Sequence, residues 1–225
     1  SEGVPPEQVS FAPMGIDHDL FKVRTPLADR PPLVGILHHE HPAKGFQQGM
    51  RALQRARELH PDLEVIAFGR TRPRATLPDW VTFVHSPDHE TLAHEIYGRC
   101  QVFLQSSRRE GFGFTAIAAM ACGAALVTTD NGGSRDYAID GETALVAPPH
   151  DVDAMASLVV SLLRDDVRRS EVAQAGERHV RKFDWDIGAA AIEDVLVRYI
   201  ADPAAFQRPP SDREADLSQP SELTS

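Results

Sequence analysis

From Pro32 onward the sequence alternates short, almost uninterrupted apolar runs with amphipathic stretches. The apolar runs predict six strands, over residues 33–39, 63–69, 81–86, 102–107, 125–130 and 143–149. The amphipathic stretches predict helices over residues 46–60, 90–100, 114–122, 152–165, 168–183 and 186–200. Strands that are apolar on both faces and joined by helices must lie parallel and be covered on both sides. The sequence therefore predicts a doubly wound α/β fold with a mostly parallel six-stranded sheet.

Composition excludes several classes of function. Hydrophobic residues make up 42% and charged residues 25% of the 225 residues, and no apolar run approaches the roughly 18 residues of a membrane span. The 23 basic and 33 acidic residues give a net charge of -10, which argues against non-specific binding of nucleic acid or anionic lipid. With only two cysteines, both in apolar surroundings, we expect reduced thiols and a cytoplasmic location.

The chain divides into three segments. Residues 1–31 are rich in proline and have no clear period, which is typical of a connecting segment. Residues 32–202 carry the alternating pattern and form the predicted domain. Residues 203–225 hold too few large apolar groups to offset the entropy of ordering them, so we expect a disordered tail. Because the chain begins at Ser1 without Met or a leader, we also expect it to be a piece of a longer protein.

The segment "EGFGF" is the strongest candidate for a ligand-binding loop. Ligands of an open parallel sheet bind beyond the carboxyl ends of its strands, and this segment follows the strand at 102–107. Gly111 and Gly113 let backbone N–H groups face a ligand at a helix N-terminus, which suits a phosphate or a sugar hydroxyl. Glu110 would repel an anion, so we expect it to accept hydrogen bonds from neutral hydroxyls. Together these features indicate a sugar phosphate; a plain strand-to-helix turn capped by Glu110 is the alternative.

Lys44 precedes Gly45 at the start of the first long helix, in the loop that follows the first strand. An ammonium group there can meet a diphosphate. A solvated surface charge is the alternative.

A long stretch of the chain resembles a known family. The segment "EGFGFTAIAAMACGAALVTTDNGGSRDYAIDGETALVAPPHDVDAMASLVVSLL" is similar to the donor-binding half of retaining, family-four type glycosyltransferases of the GT-B fold. The resemblance extends to "FAPMGID", "PAKGF", "HPDLEVIAFG" and "RKFDW", and covers about residues 15–200. It implies one half of a GT-B architecture: a Rossmann-like domain that binds a nucleotide sugar, without the amino-terminal domain that binds the acceptor.

The resemblance also implies roles for individual residues. Glu110 would hold hydroxyls of the donor sugar, and Lys44 would neutralise the leaving phosphates. Backbone groups of the following turn would meet the sugar and diphosphate: Gly111, Phe112, Gly113, Phe114 and Thr115. The implied activity is that of a metal-independent hexosyltransferase without a cofactor, which takes a nucleotide-diphosphate sugar as co-substrate. A glycan or lipid-linked acceptor would be held by the absent domain, with the full-length protein peripheral to the inner face of the membrane.

Two positions depart from the family pattern. The family usually has a second Glu, which grips the ribose hydroxyls, eight positions after the first; here that position is Ala118. Losing this acid matters less for a deoxyribose, so a deoxythymidine-diphosphate sugar is one hypothesis for the donor. His39 stands where the family commonly has an Arg, and it donates to phosphate if protonated or else bonds only backbone and water. These departures leave a catalytically degenerate sugar-nucleotide-binding or interaction module as the main alternative, and an epimerase or phosphorylase as a third.

Potential metal ligands occur but do not form a convincing site. His38, His39, Glu40 and His41 are adjacent, yet neighbouring residues of a strand point to opposite faces. Asp-x-Asp triplets occur at 17–19, 151–153 and 184–186, and the latter two begin predicted helices, where Asp caps N–H groups. We predict no bound metal.

Overall fold

The computed structural model describes residues 9, 10 and 12–203. In this part of the chain six strands form one sheet, and every strand is parallel to its neighbours. The strands are β1 (Leu33–Leu37), β2 (Glu64–Gly69), β3 (Val81–His85), β4 (Val102–Gln105), β5 (Ala125–Thr129) and β6 (Leu145–Ala147), in the spatial order β3-β2-β1-β4-β5-β6. The predicted doubly wound α/β fold is confirmed.

The helices follow the predicted positions closely. They are α1 (Phe46–Leu59), α2 (His89–Thr91), α3 (Phe114–Ala121), α4 (Val152–Arg164), α5 (Asp166–Val180) and α6 (Trp185–Ala201). All except α2 differ from the prediction only at their ends. Asp151 and Asp165 begin α4 and α5, and the side chain of each accepts a hydrogen bond from a backbone N–H of the first turn.

The sheet separates two core layers, and successive residues of a strand alternate between them. Val34 and Ile36 of β1 lie in the layer that contains Leu53 of α1, and α1 packs there against α4. Leu33 lies in the opposite layer with Ile117 of α3. Burial on both sides explains why the strands read as continuous apolar runs.

The predicted helix over residues 90–100 is only partly correct. The chain there makes the single α-turn of α2, a π-helical turn over Leu92–Ile96 and a 3₁₀ turn over Tyr97–Arg99. A Cβ on Gly98 would lie 2.7 Å from the carbonyl oxygen of Ala93, so the tightening at this point depends on glycine. Apolar spacing does not distinguish these three helical forms.

The first compact unit spans Met14–Trp185 and begins earlier than the sequence boundary at residue 32. Ile16 and Phe21 are buried in the core of this unit. Arg30 is also buried, and its guanidinium donates hydrogen bonds of 2.7 to 2.8 Å to the carbonyl oxygens of Thr25, Cys100 and Cys122. Part of the segment predicted as a connection is therefore built into the domain.

Among the described residues, the second compact unit comprises residues 9, 10, 12 and 13 and residues 186–203. Its described part contains most of α6, in which Gly188 lies against the carbonyl of Pro13. The predicted disordered tail, apart from its first residue Pro203, lies outside the described residues. Among those described, no helix has both the length and the apolar composition needed to span a bilayer.

Candidate functional site

The candidate site lies where the chain order of the sheet reverses. β1 has β2 on one side and β4 on the other, and the helices that follow β1 and β4 pack on opposite faces of the sheet. In open parallel sheets, ligands bind in the crevice at such a point. Lys44 belongs to the loop after β1, and Glu110 to the loop after β4. This is the edge of the sheet at which the sequence predicted a ligand.

Lys44 and Glu110 meet directly. The Nζ of Lys44 lies 2.7 Å from Oε2 of Glu110, although the two residues are 66 positions apart in the chain. The Glu110 side chain is only 7% exposed, whereas that of Lys44 is 31% exposed. The ammonium therefore borders solvent while the carboxylate lies beneath it.

Two further side chains hold the Glu110 carboxylate. Its Oε1 accepts hydrogen bonds from Nε2 of Gln105 at 2.8 Å and from Oγ of Ser107 at 2.7 Å. The amide oxygen of Gln105 in turn accepts from the hydroxyl of Thr115 at 2.9 Å. Buried Gln105 thus links the end of β4, the loop and the first turn of α3.

The loop after β1 is fixed to the loop after β4. Gly45 has φ 67°, in the left-handed region, and a Cβ there would overlap the carbonyl of Ser106. The hydroxyl of Ser106 donates to the carbonyl of Gly45 at 3.1 Å, and the N–H of Arg108 donates to the carbonyl of Ala43 at 2.7 Å. These contacts hold Lys44 in front of Glu110.

The turn from Gly111 to Thr115 presents unused backbone donors. No described residue accepts a hydrogen bond from the N–H groups of residues 111–115, and α3 begins within this segment. Gly113 has φ 83° and lies against Tyr137, so only glycine fits there. Gly111 is different, because a Cβ added to it would have no heavy atom within 4 Å. The turn is therefore a row of N–H groups with open space beside Gly111.

The two aromatic residues of the turn pack into the protein. Phe112 lies edge-on to Phe183 with the ring centroids 5.6 Å apart, and Phe114 lies edge-on to Phe21 at 5.9 Å. Their rings anchor the turn. Any contact that these two residues make with a ligand at the turn would use the backbone, as the resemblance implies.

The loop after β5 packs against the turn of residues 111–115 and against Glu110. The N–H of Glu110 donates to the carbonyl of Asn131 at 3.0 Å, and a Cβ on Gly133 would overlap the carbonyl of Gly111. Tyr137 is buried against Gly113, and its hydroxyl makes no hydrogen bond of normal geometry to a described atom. Burial, and then the nearby charge of Glu110, raise the pKa of Tyr137, so its hydroxyl stays protonated.

Sequence reasoning missed the supporting residues of this site. Gln105, Ser107 and Tyr137 were not assigned a binding role, although Gln105 is a polar residue at the end of an otherwise apolar strand. That position was a usable signal, because a buried amide needs partners. Nothing in the sequence near Tyr137 indicates that this residue contacts the turn at Gly113, 24 positions earlier in the chain.

His39 makes local hydrogen bonds. Its Nδ1 accepts from the backbone N–H of His41 at 2.9 Å, and Nδ1 of His41 accepts from the N–H of Ala43 at 3.1 Å. The structure gives His39 no hydrogen bond to Lys44 or Glu110. Its predicted contact with phosphate stays a prediction.

Ala118 belongs to α3 and is fully buried in the core. In place of the carboxylate that the family pattern carries there, this chain has a methyl group packed among apolar side chains. Among the described residues, no group of three or more His, Cys, Asp or Glu side chains is arranged to hold a metal ion.

Comparison with known proteins gives the family. The family model described as "Glycosyl transferases group 1" matches residues 17–179. This chain belongs to the group 1 glycosyl transferase family. It is 30% identical over 192 residues to the phosphatidyl-myo-inositol mannosyltransferase of Mycolicibacterium smegmatis, a match that covers 80% of this chain and 49% of that protein. The chain thus spans about half the length of the curated relatives it matches.

Solved structures of other glycosyl transferases share the fold. The C-terminal domain of a group 1 family protein from Francisella tularensis matches with a TM-score of 0.65 and 22% identity, covering 75% of this chain and 97% of that one. The Anabaena protein Alr3699/HepE, in complex with UDP and glucose, matches with a TM-score of 0.69 and 20% identity, covering 82% of this chain and 55% of that one. These structural neighbours are glycosyltransferases of the GT-B type.

Proposed function

We propose that this chain is the donor-binding domain of a retaining glycosyltransferase and takes a nucleoside-diphosphate sugar. The observation that carries the proposal is the meeting of Lys44 and Glu110, 2.7 Å apart, beside the unpaired N–H groups of residues 111–115. The fold match to a C-terminal domain and to a protein crystallised with UDP and glucose supports it. The acceptor, a glycan or a lipid-linked molecule, would be bound by another part of the full-length enzyme.

Lys44 retains the capacity to bind phosphate while it contacts Glu110. An ammonium group has three N–H donors, and Glu110 accepts one of them. The other two are free to meet oxygens of a diphosphate, and the side chain borders solvent. Lys44 and the N–H groups of the turn together offer a charged donor and a set of neutral donors to one anion.

Glu110 has less remaining capacity to accept hydrogen bonds, and this limits the contacts that it can make with a ligand. A carboxylate accepts about four hydrogen bonds. Oε1 of Glu110 already accepts from Gln105 and Ser107, and Oε2 accepts from Lys44. One acceptor position on Oε2 is left for a sugar hydroxyl. The ion pair also offsets the negative charge of Glu110, which reduces the repulsion between this carboxylate and a diphosphate.

The chemistry requires charge stabilisation more than proton transfer. When the bond from the sugar to the diphosphate breaks, negative charge develops on the departing phosphate. Donors that already point at that phosphate lower the barrier because they need not reorganise during the reaction. We propose that Lys44 and the turn of residues 111–115 act in this way without a metal ion, and that the isolated domain binds donor but transfers little sugar.

Ala118 favours one alternative, a sugar-nucleotide-binding module without catalytic activity. In such a module the Lys44–Glu110 pair would bind the nucleotide sugar, but the full-length protein would not transfer the sugar. Activity of the full-length enzyme toward acceptors separates these two functions.

Calorimetric titration of the chain with nucleoside-diphosphate sugars tests the proposal. We expect Lys44→Met to weaken binding at least tenfold, because a charged hydrogen bond contributes about 1.5 to 3 kcal/mol. Lys22→Met removes the same charge at an exposed position outside the site and serves as the control. Equal affinity in Lys44→Met and Lys22→Met would refute the proposal.

A further inference from the structure

A cavity of about 480 Å³ lies beside the candidate donor site, and of the residues assigned to that site only His39 lines it. Its walls come from the loop after β1 and the loop after β2, together with the first turn of α1. Lys44, Glu110 and residues 111–115 do not line it. A cavity of this size is within the range that binds small molecules.

The cavity is lined by groups that donate hydrogen bonds. Arg72 and Arg74 supply two exposed guanidinium groups from the loop after β2. No described residue pairs with Arg72, and Arg74 has only a 3.8 Å contact with Glu40, the one carboxylate that lines the cavity. The lining therefore has a net positive charge even with neutral histidines.

His39 and His41 add donors whose position is fixed by the backbone. Because Nδ1 of each ring accepts a backbone N–H, Nδ1 cannot carry the proton of the neutral imidazole. The proton of the neutral ring is then on Nε2 in both residues, and each ring donates an N–H without needing a positive charge. Both rings line the cavity.

His38 contributes a buried polar atom without a partner. The residue lines the cavity and is 7% exposed, and its Nδ1 makes no hydrogen bond of normal geometry to a described residue. The ring packs edge-on to Phe46, with the centroids 4.6 Å apart, so an aromatic surface lies next to the donors. Gln47 and Gln48 supply amide groups on the α1 side, which suit hydroxyls.

We propose that this cavity is a second anion site, separate from the donor site, that binds the phosphate group of a small hydroxylated molecule. Two imidazole N–H groups and two guanidinium groups offer more donors than a carboxylate accepts but suit the oxygens of a phosphate monoester. The cavity is larger than a phosphate group requires, which leaves room for the attached polyol. A phosphorylated acceptor and a phosphorylated effector share this chemistry.

Titration of the chain with glucose 6-phosphate tests the site, with glucose and inorganic phosphate as partial probes. We expect binding of glucose 6-phosphate that weakens at least tenfold in the double variant Arg72→Ala/Arg74→Ala, since charged hydrogen bonds are lost. Arg70→Ala removes an exposed charge of the same loop that does not line the cavity, and is expected to leave the affinity unchanged. All three arginines are exposed, so melting temperatures matching that of the unsubstituted chain would exclude a folding defect.

A competition experiment distinguishes this site from the donor site. We expect glucose 6-phosphate to bind equally well with and without saturating UDP, and to be insensitive to Lys44→Met. Mutually exclusive binding would assign the cavity to the phosphates of the donor and overturn the inference. Absence of binding at millimolar glucose 6-phosphate, or equal losses in Arg70→Ala and the double variant, would also overturn it. These results leave the proposed donor function untouched, because that function is tested by the Lys44 variant with nucleotide sugars.

To distinguish an acceptor from an effector, the full-length enzyme would be assayed for sugar transfer to the phosphorylated molecule. Transfer would identify an acceptor. A changed rate toward another acceptor, without transfer to the phosphorylated molecule, would identify an effector. If the enzyme binds the molecule but shows neither transfer nor a changed rate, a functional role for the site is overturned.

Discussion

Alanine substitutions at Gly111 and Gly113 provide a matched test of the turn that is proposed to face the donor. The two glycines are two residues apart in the same turn, but their surroundings differ. A methyl group on Gly111 meets nothing within 4 Å, whereas one on Gly113 meets the ring of Tyr137 on a backbone with φ 83°. We therefore expect Gly111→Ala to weaken ligand binding without destabilising the fold, and Gly113→Ala to destabilise the fold.

The expected magnitudes follow from those surroundings. Gly111→Ala adds no clash, so the free energy of unfolding is expected to stay the same or to rise by about 0.4 to 1 kcal/mol through the lower entropy of the unfolded chain. Gly113→Ala forces a non-glycine residue into the left-handed region, at about 1 to 2 kcal/mol. Displacing the Tyr137 ring adds about 1 to 3 kcal/mol. The sum for Gly113→Ala is about 2 to 5 kcal/mol.

Chemical denaturation gives the stabilities, and calorimetric titration with a nucleoside-diphosphate sugar gives the affinities. We expect Gly111→Ala to fold normally and to lose at least tenfold in affinity, because its methyl group occupies the open space that the diphosphate needs. A Gly111→Ala variant that folds and binds normally would refute the assignment of this turn to the donor. An unchanged stability of Gly113→Ala would refute the structural argument.

The remaining predictions concern the core and the donor. Arg30→Leu leaves the buried carbonyl groups of Cys100 and Cys122 and the part-buried carbonyl of Thr25 without their donor. We expect a loss of about 3 kcal/mol or more in the free energy of unfolding by denaturant titration, and a loss below about 1 kcal/mol would contradict this. Burial raises the pKa of Cys100 and Cys122 from 9.0 to about 12, so both thiols are expected to resist alkylation in the native state, and rapid labelling would contradict the burial. The stability that these thiols contribute is fully present below pH 9 and is lost as the pH rises toward about 12, which thermal melts at increasing pH would detect. With Ala118 in place of an acid, we expect thymidine diphosphate to bind at least as well as uridine diphosphate, and a clear preference for uridine would exclude a deoxythymidine donor.

The fold was predictable because burial on both faces leaves a direct mark on the strands. The run "LEVIAFG" is apolar at nearly every position, and "ALVTTD" begins with three apolar residues; the residues they predict as strands include β2 and β5 completely. Patterns of apolar residues do not report the backbone hydrogen bonds of a helical turn. This is why one helix was predicted over residues 90–100, whereas residues 89–99 contain three helical forms.

The position of the site was predictable from topology, but its internal contacts were not. The sequence assigned Lys44 and Glu110 to loops at one edge of the sheet, and the structure brings them together at that edge. It gave no means to know that Gln105 and Ser107 would occupy one oxygen of the carboxylate. Side-chain partners depend on distances across the crevice, and these are set by the register of β1 against β4.

His39 illustrates the same limit. The sequence suggested that this residue needs protonation to meet a phosphate. The backbone hydrogen bond from His41 instead fixes the neutral tautomer with an N–H on Nε2. Such a local contact is invisible in the sequence, yet it changes the chemistry that the residue offers.

The central claim is that Lys44 and the N–H groups of residues 111–115 together receive the diphosphate of the donor. Amide chemical shifts of the ¹⁵N-labelled chain, recorded during titration with a nucleoside diphosphate, test it most directly. We expect the largest shifts at the amides of residues 111–115, and we expect them to be much smaller in Lys44→Met at the same ligand concentration. Binding that shifts other amides while those of residues 111–115 stay in place would contradict the claim.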